Sequence, residues 1–395
     1  MYSTDAKQPP PNKGPPAEPR PSSSIILLSH TNQVLLLRRV KTSRSFASAH
    51  VFPGGNLSAF HDGPVAPPDD VAARHRDSRA YRLGAIRETF EESGILLARR
   101  KKGGAAGGDG DEGEEGLLVL SARERDEARR AVYGNEVAFT EWLDRVGGVA
   151  DIDNLLPFTR WVTPLATPRR FTTQMYIYML PFPRKSPSSA PSEVGDEAMG
   201  HDSIHAEAVL PTPDGAEITT SAFEDAATWL ARQQSGDIIL FPPQAFLLTL
   251  ISQFCRGPPP HASSSSSSSS PTTTALTPDT DYYQKQRDEL VEFLRRVPTA
   301  EKPRSLKNPT SQIPWADKCI SPVTTMMTDD GRILLSLDRP GPELKGTGRG
   351  GDFERVVLVR FEKGTARQVQ VMDREEAFRT LRPAGPKGEV GKEKL

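Results

Sequence analysis

The sequence predicts an α/β fold with a mixed sheet, extended by a β-rich segment towards the C-terminal end. Apolar runs at 24–29 and 34–38 flank a short polar turn and indicate a β-hairpin. Within 79–93 the apolar residues recur at helical spacing, which is typical of a helix that packs one face on a core. Near the other end, 356–361 and 367–371 flank Glu-Lys-Gly and predict a second hairpin.

The helix predicted over 79–93 has signals at both ends. Asp77 or Ser78 can serve as its N-cap, and Gly94 lies where a C′ glycine is favoured. The apolar stripe is formed by Leu83, Ile86 and Phe90.

Other elements follow from the same periodicities. Further helices are predicted at about 121–133, 136–146, 224–234, 243–255, 283–296 and 374–381. Further strands are predicted at 159–163, 171–180, 204–210, 217–223 and 333–337. The sequence leaves open whether the C-terminal strands pack on the main core or form a small separate module.

Shifts in composition divide the chain into folded parts and polar, Pro-, Gly- or Ser-rich parts. The expected divisions are a disordered tail at 1–21, a main domain at 22–256 with insertions at 61–76, 101–116 and 181–200, a Ser/Pro-rich linker at 257–280, a C-terminal helix and β-hairpin region at 281–382, and a tail at 383–395. The insertion at 61–76, rich in Pro and Asp, is expected to be loop-like.

The composition disfavours partners that require a strong net charge. The chain has 50 Lys and Arg against 51 Asp and Glu, so its net charge of −1 predicts neither nucleic acid nor an anionic membrane as a partner. No apolar run has the length of a membrane span, and Cys255 and Cys319 provide no disulfide framework. We therefore expect an intracellular protein, cytoplasmic or, from its final Glu393-Lys394-Leu395, peroxisomal. The oligomeric state is left open.

Three glutamates in the helix predicted over 79–93 give the strongest indication of function. Glu88, Glu91 and Glu92 occupy positions i, i+3 and i+4 and share one helix face. Their mutual repulsion disappears if a hard divalent cation, which prefers oxygen ligands, lies among them. The alternative is a solvated acidic face. The Gly-Gly run Phe52-Pro53-Gly54-Gly55 upstream favours the metal site.

Together these residues resemble the Nudix box, G-x5-E-x7-R-E-U-x-E-E-x-G-U, in which U is apolar. The matching positions are Gly55, Arg87, Glu88, Thr89, Glu91, Glu92, Gly94 and Ile95. Arg87 follows Gly55 by 32 positions instead of the 14 in the box, which indicates an insertion of 18 residues. Counted from either end, the first box glutamate falls on His61 or Arg79, and neither is acidic. The candidates to replace it are Asp62, Asp69 and Asp70.

An insertion inside the box resembles one branch of the Nudix family, the peroxisomal coenzyme A diphosphatase type. The likeness covers about 22–256, and the other segments that carry it are 45–51, 160–164, 169–171 and 238–243. At 172–174, Thr-Thr-Gln stands where the branch is expected to have Asp-Thr-Arg. The resemblance implies a Nudix α/β/α sandwich with a mixed sheet, and a hydrolase that uses Mg²⁺ or Mn²⁺.

The expected substrate is a small molecule in which a nucleoside diphosphate is linked to another group. By resemblance, coenzyme A or acyl-coenzyme A is preferred and yields 3′,5′-ADP and a 4′-phosphopantetheine moiety. One alternative is an ADP-ribose or dinucleotide pyrophosphatase. An alternative of another class is a Nudix module that binds a ligand without turnover.

The resemblance also assigns roles to residues of the box. Glu91 and Glu92 are the expected metal ligands, and Glu88 either shares the metal or acts as the base. Gly55 offers its carbonyl oxygen, and Arg87 orients the glutamates. The predicted catalytic set is therefore Glu88, Glu91 and Arg87. An additional acidic ligand is expected from a later loop, where Glu217 is preferred and Glu207 and Glu224 are alternatives.

Cations near the box are candidates for binding substrate phosphates. They are Arg38, Arg39, Lys41, Arg44, Arg169 and Arg170. The alternative for each is a solvated basic position. Trp161 and Phe171 either stack on a nucleobase or belong to the core.

Overall fold

A computed structural model describes residues 17–42, 47–101, 116–182, 211–214, 217–257 and 280–384. Outside these ranges lie almost all of the predicted linker and of the insertions 101–116 and 181–200, most of both predicted tails, the predicted strand 204–210, Arg44 and Glu207. The strands are β1 (Arg20–Leu28), β2 (Val34–Arg39), β3 (His50–Val51), β4 (Gly54–Asn56), β5 (Ala98–Arg100), β6 (Gly148–Ala150), β7 (Leu156–Val162), β8 (Phe171–Met179), β9 (Ile218–Glu224), β10 (Cys319–Ile320), β11 (Val323–Met327), β12 (Ile333–Leu337), β13 (Asp352–Glu362) and β14 (Thr365–Asp373). The α-helices are α1 (Ala59–Asp62), α2 (Val71–Arg74), α3 (Arg79–Ser93), α4 (Ala122–Tyr133), α5 (Phe139–Arg145), α6 (Ala226–Ser235), α7 (Pro242–Ile251), α8 (Thr280–Arg295), α9 (Pro303–Leu306) and α10 (Arg374–Thr380).

Within the described part of the chain, eight strands form one mixed sheet. Its order is β10-β7-β8-β1-β2-β3, with β4 paired to β1 and β9 paired to β2. Strand β1 runs parallel to β8 from the pair Arg20–Phe171 to the pair Leu28–Met179, and antiparallel to β2 and β4. The mixed sheet expected from the sequence is confirmed. The predicted tail 1–21 is corrected at its end, because its last two residues begin β1.

Helices cover both faces of this sheet. Successive residues of a strand point to opposite faces, so Ile25 of β1 packs with Ile86 of α3, whereas Ile26 belongs to the other core with Phe246 of α7 and Leu290 of α8. Both cores consist of buried apolar side chains. The architecture is an α/β/α sandwich, as the sequence predicts.

The C-terminal region shares its core with the main sheet. Strands β11 to β14 form a second, antiparallel sheet, and Leu335, Val357 and Val369 on one of its faces belong to the same apolar cluster as Phe246 and Leu290. Strand β10 extends the main sheet by parallel pairing with β7. The question left open by the sequence is thereby answered: the C-terminal strands pack on the main core.

The insertion at 61–76 is more ordered than its composition predicts. It contains the end of α1 and the whole of α2, whose first turn is capped when the Asp70 carboxylate accepts the Ala73 N–H at 3.0 Å. Arg349, from the C-terminal region, donates to the His75 carbonyl at 2.6 Å. A partner so distant in sequence cannot be recognised from a local pattern, and the loop-like expectation is therefore wrong for these two short helices.

Among the described helices, none is long and apolar enough to cross a membrane.

Candidate functional site

Helix α3 brings the three glutamates to one buried place. It spans the predicted residues 79–93 and ends at Gly94, which adopts the left-handed conformation with φ of 75°. Glu91 and Glu92 are 9% and 5% exposed, and the Glu88 side chain is 16% exposed. An acidic face that only meets solvent does not have this burial, so the alternative of a solvated face is excluded.

The Gly-Gly turn of β4 lies directly against these carboxylates. The Gly54 N–H donates to Oε2 of Glu92 at 2.9 Å. A Cβ atom on Gly55 would lie 2.5 Å from Oε2 of Glu88, so Gly55 leaves room for that carboxylate where a side chain would displace it. The two halves of the box therefore meet in space although 18 additional residues separate them in the chain.

Arg87 links the glutamates to the insertion. Its Nη1 donates to Glu88 at 2.9 Å and to Glu91 at 3.0 Å. Its Nε and Nη2 donate to the two oxygens of Asp62 at 2.9 and 3.0 Å, as a two-pronged ion pair. Burial lowers the pKa of Arg87, but the carboxylates of Glu88, Asp62 and Glu91 outweigh it and raise that pKa above its ordinary value. Arg87 therefore stays charged and holds its partners in fixed orientations.

Of the three aspartates considered for the missing box glutamate, Asp62 is the one that contacts Arg87. Its buried carboxylate also accepts the Ser58 N–H at 2.8 Å. Asp70 caps α2, Asp69 is exposed, and His61, at the counted position, contacts Asn135. Asp62 directly follows His61, but the count from Gly55 falls on His61 and the count from Arg87 falls on Arg79, so the sequence could not select Asp62.

The carboxyl groups of Glu88 and Glu92 interact with each other. Burial, followed by the charge of Glu91, raises the pKa of Glu88 to about 7, although Arg87 opposes this. Burial and then the charge of Glu88 raise the pKa of Glu92 well above its ordinary value, against the Gly54 hydrogen bond and Arg39. The pair therefore resists carrying two negative charges unless a further cation is present.

Strand pairing brings Glu217 to the same place. It immediately precedes β9, and the β2–β9 register places it beside Arg39, whose Nη2 lies 2.9 Å from Oε2 of Glu217. Nη1 of the same guanidinium lies 3.9 Å from Oε1 of Glu92. Arg39 thus lies between two predicted metal ligands. Glu224 is at the other end of β9 and pairs with Arg232.

The remaining predicted phosphate-binding cations have different surroundings. Arg38 faces the side of the sheet opposite α3, whereas Lys41 and Arg169 are exposed. Arg170 is buried and pairs with Glu343 of the C-terminal region, which corrects its placement as a substrate-binding residue. Trp161 packs against Phe246 and therefore belongs to the core, which was the alternative to stacking on a nucleobase.

The glutamates supply oxygen atoms suited to Mg²⁺ or Mn²⁺, but their side chains are engaged with protein groups. Among the described residues, no three acidic, His or Cys side chains converge as a ready group of metal ligands. Glu88 and Glu91 are turned towards Arg87, and Glu92 is turned towards Gly54 and Arg39. The donor set fits a divalent cation in chemistry, and Arg39 lies between two of the predicted donors, Glu92 and Glu217.

Comparison with known proteins agrees with this arrangement. Residues 68–250 match the family model described as the NUDT19 Nudix domain. The acyl-coenzyme A diphosphatase NUDT19 of Gallus gallus is 28% identical over 262 residues, which cover 56% of this chain and 61% of that protein. The protein of the same description from Homo sapiens is 29% identical over 205 residues, covering 42% and 51%. This chain therefore spans less than two thirds of the length of these relatives.

Among solved structures, a Nudix hydrolase from Alicyclobacillus acidocaldarius is 23% identical with a TM-score of 0.40, covering 59% of this chain and 90% of that one. A score of that size adds nothing to the topology described above. The sandwich and the buried glutamate face agree with the family match, and the chain resembles a Nudix hydrolase over residues 68–250. Within that family, the chain resembles the coenzyme A diphosphatase branch.

Proposed function

We propose that this protein is a metal-dependent diphosphatase of coenzyme A or acyl-coenzyme A. It cleaves the diphosphate linkage to give 3′,5′-ADP and a 4′-phosphopantetheine moiety. The observation that carries the hydrolytic part is the close fit of Gly54 and Gly55 against Glu92 and Glu88. The substrate assignment is supported by the relatives described as acyl-coenzyme A diphosphatases.

Each residue of the site has a role in this proposal. Glu91 and Glu92, with the Gly55 carbonyl, would hold Mg²⁺ or Mn²⁺, and Glu217 would supply a further oxygen. When bound, the cation would neutralise the diphosphate oxygens and acidify a water molecule. Arg87 keeps Glu88 and Glu91 in position by means of its pair with Asp62. Glu88, the most exposed of the three box carboxylates, is the group that takes the proton from the attacking water.

A hydrolysis panel tests the proposal. Coenzyme A, acetyl-coenzyme A, ADP-ribose and NADH are each supplied with Mg²⁺ or Mn²⁺, and kcat/KM is compared. We expect the coenzyme A compounds to be cleaved fastest, with 3′,5′-ADP identified among the products. A strong preference for ADP-ribose or NADH would contradict the substrate. No turnover of any compound with either metal would favour the alternative of a ligand-binding module, for which the Arg39 pairs offer a structural reason.

A further inference from the structure

A cavity lies on the sheet face opposite α3, beside the last residues of β2. Its volume is about 300 Å³, within the range of small-molecule sites. The floor is apolar and aromatic, and the polar lining includes two guanidinium groups. The residues on which the argument depends are Arg38, His50, Trp229, Arg232 and Asp237.

The two arginines that line this cavity differ in their contacts with other residues. Arg232 lies over the Trp229 ring, 5.0 Å from its centre, and pairs with Glu224. Within the described chain, Arg38 has no carboxylate within ion-pair distance and its side chain is exposed. The one lining carboxylate, that of Asp237, accepts a hydrogen bond from the Ser235 hydroxyl at 2.7 Å. Glu224 therefore already offsets the charge of Arg232, and Arg38 is the lining cation that has no carboxylate partner among the described residues.

His50 adds a hydrogen-bonding group to this lining. Its ring is 8% exposed and lies 5.8 Å from the Trp229 ring, and among the described atoms its Nδ1 has no hydrogen-bond partner. Burial, and then the charges of Arg232 and Arg38, lower the pKa of His50 to about 4. The ring is therefore neutral near pH 7, and a buried polar atom of this kind is completed by a ligand or by water.

The cavity and the glutamates lie at the same end of the sheet. Arg38 and Arg39 are the last two residues of β2, and adjacent strand residues point to opposite faces. Arg39 is directed at Glu92 and Glu217, whereas Arg38 lines the cavity. A long, flexible molecule that passes over the end of β2 can thus reach both places.

We propose that this cavity binds the phosphorylated nucleoside end of the substrate, with the 3′-phosphate between Arg38 and Arg232 and the base over the apolar floor. The inference rests on the proposed function, because it assigns the end of coenzyme A that is distant from the cleaved bond. A phosphate held by a guanidinium forms a charge-assisted pair that is absent when the 3′-phosphate is missing.

Binding without turnover tests the cavity directly. Calorimetric titration of the metal-free protein with 3′,5′-ADP and with 5′-AMP gives the preference for the 3′-phosphate. We expect a preference of about ten-fold in the wild type, from the usual strength of a charge-assisted pair. Arg38→Ala and Arg232→Ala should each reduce it to within about two-fold. Arg232→Ala leaves Glu224 without its partner and could prevent folding. Arg38→Ala removes no ion pair, so the titration of this variant tests the 3′-phosphate site by itself.

The matched control is Arg256→Ala, which removes an exposed arginine with a single surface ion pair and should keep the wild-type preference. Equal binding of the two nucleotides by the wild type, or an unchanged preference in Arg38→Ala, would overturn the inference. Turnover measurements distinguish failure of the cavity assignment from failure of the proposed function. If the wild type cleaves coenzyme A and its 3′-dephospho form equally, the cavity assignment alone is disproved. A wild type that cleaves neither disproves the diphosphatase assignment, and the nucleotide titration still tests the cavity.

Discussion

At the scale of single residues, burial changes the electrostatics of the acidic face of α3. Glu88, Glu91 and Glu92 repel one another wherever they stand on a helix, but water screens that repulsion on an exposed face. Here the Gly-Gly turn and the insertion exclude water, so the pKa values of the glutamates rise. A divalent cation among these carboxylates would offset this electrostatic cost.

Glu92→Gln tests the metal site. The change retains the shape and the Gly54 hydrogen bond but removes a ligand charge, so kcat/KM should fall on the order of 100-fold or more. The melting temperature without metal should remain level or rise, because a buried carboxylate that resists ionisation is removed. Activity within a few-fold of wild type would refute the assignment of Glu92 as a ligand.

Asp62→Asn tests the substitute for the first box glutamate. It leaves the Arg87 guanidinium without its two-pronged partner in a buried place, which typically costs about 3–5 kcal/mol of unfolding free energy. Activity should fall about 10- to 100-fold, as when a supporting partner of a metal ligand is lost. Asp69→Asn, at an exposed position of the same insertion, is the control and should change stability by less than about 0.5 kcal/mol. Equal effects of the two changes would show that Asp62 does not position Arg87.

The pH dependence of stability tests the electrostatics of Glu88. Its pKa is about 7 in the folded protein and about 4.5 when unfolded, so the folded state binds the additional proton between these values. Without metal, the stabilisation that Glu88 gives by binding this proton is fully present below pH 4.5, and it is lost as the pH rises through 7. Burial lowers the pKa values of His50 and His75 to about 4, so these two groups make the protein more stable as the pH rises. Because both histidines are present in wild type and in Glu88→Gln, the difference between the two proteins in urea unfolding isolates the contribution of Glu88. A difference between the two proteins that does not change from pH 4.5 to 7 would contradict the raised pKa.

At the scale of elements, α8 attaches the C-terminal region to the first hairpin by a buried polar contact. Nε of Arg287 donates to Oδ1 of Asn32 at 2.8 Å, and Nη2 donates to the Ser29 carbonyl at 2.9 Å. Asn32 has a φ of 58° and also donates to the Tyr283 carbonyl. The turn between β1 and β2 and the helix α8 therefore determine each other's positions.

Arg287→Met measures this attachment. The aliphatic part of the side chain is retained, but the Asn32 amide oxygen loses its Arg287 donor and the Ser29 carbonyl keeps only the Asn32 N–H, which should cost about 1–3 kcal/mol. Arg295→Met, on the same helix at an exposed position, should change the unfolding free energy by less than about 0.5 kcal/mol. The two variants are compared by chemical denaturation, and equal midpoints would show that the contact does not stabilise the docking.

At the scale of the whole molecule, the main sheet and the C-terminal sheet have one core between them. Trp315 is fully buried, and its ring centre lies 5.6 Å from that of Phe158 in the main sheet and 5.1 Å from that of Phe293 in α8. Leu335 and Val357 complete the same cluster from the C-terminal sheet. Neither region buries its apolar face without the other.

A chain truncated after residue 257 should therefore fail to fold. The truncation removes the apolar side chains of α8 and of the C-terminal sheet that pack on α7 and the main sheet, so we expect aggregation or loss of the near-ultraviolet circular dichroism signal. The milder change Trp315→Ala in the full chain should cost about 3–5 kcal/mol. A truncated chain that unfolds cooperatively with the stability of the full protein would contradict the shared core.

The sequence by itself determined the features whose signals are local. The bounds of α3, its cap at Gly94 and the glutamate face follow from helical periodicity and from a glycine, the residue that adopts the left-handed conformation most readily. The tertiary structure alone decided which acid serves Arg87, because Asp62 and its two neighbouring candidates differ in burial and not in residue type. It also decided that Glu217 meets Arg39 through the β2–β9 register, and that Arg170 is buried by Glu343. Each of these contacts joins residues far apart in the chain, and only the folding of the two sheets around one core brings them together.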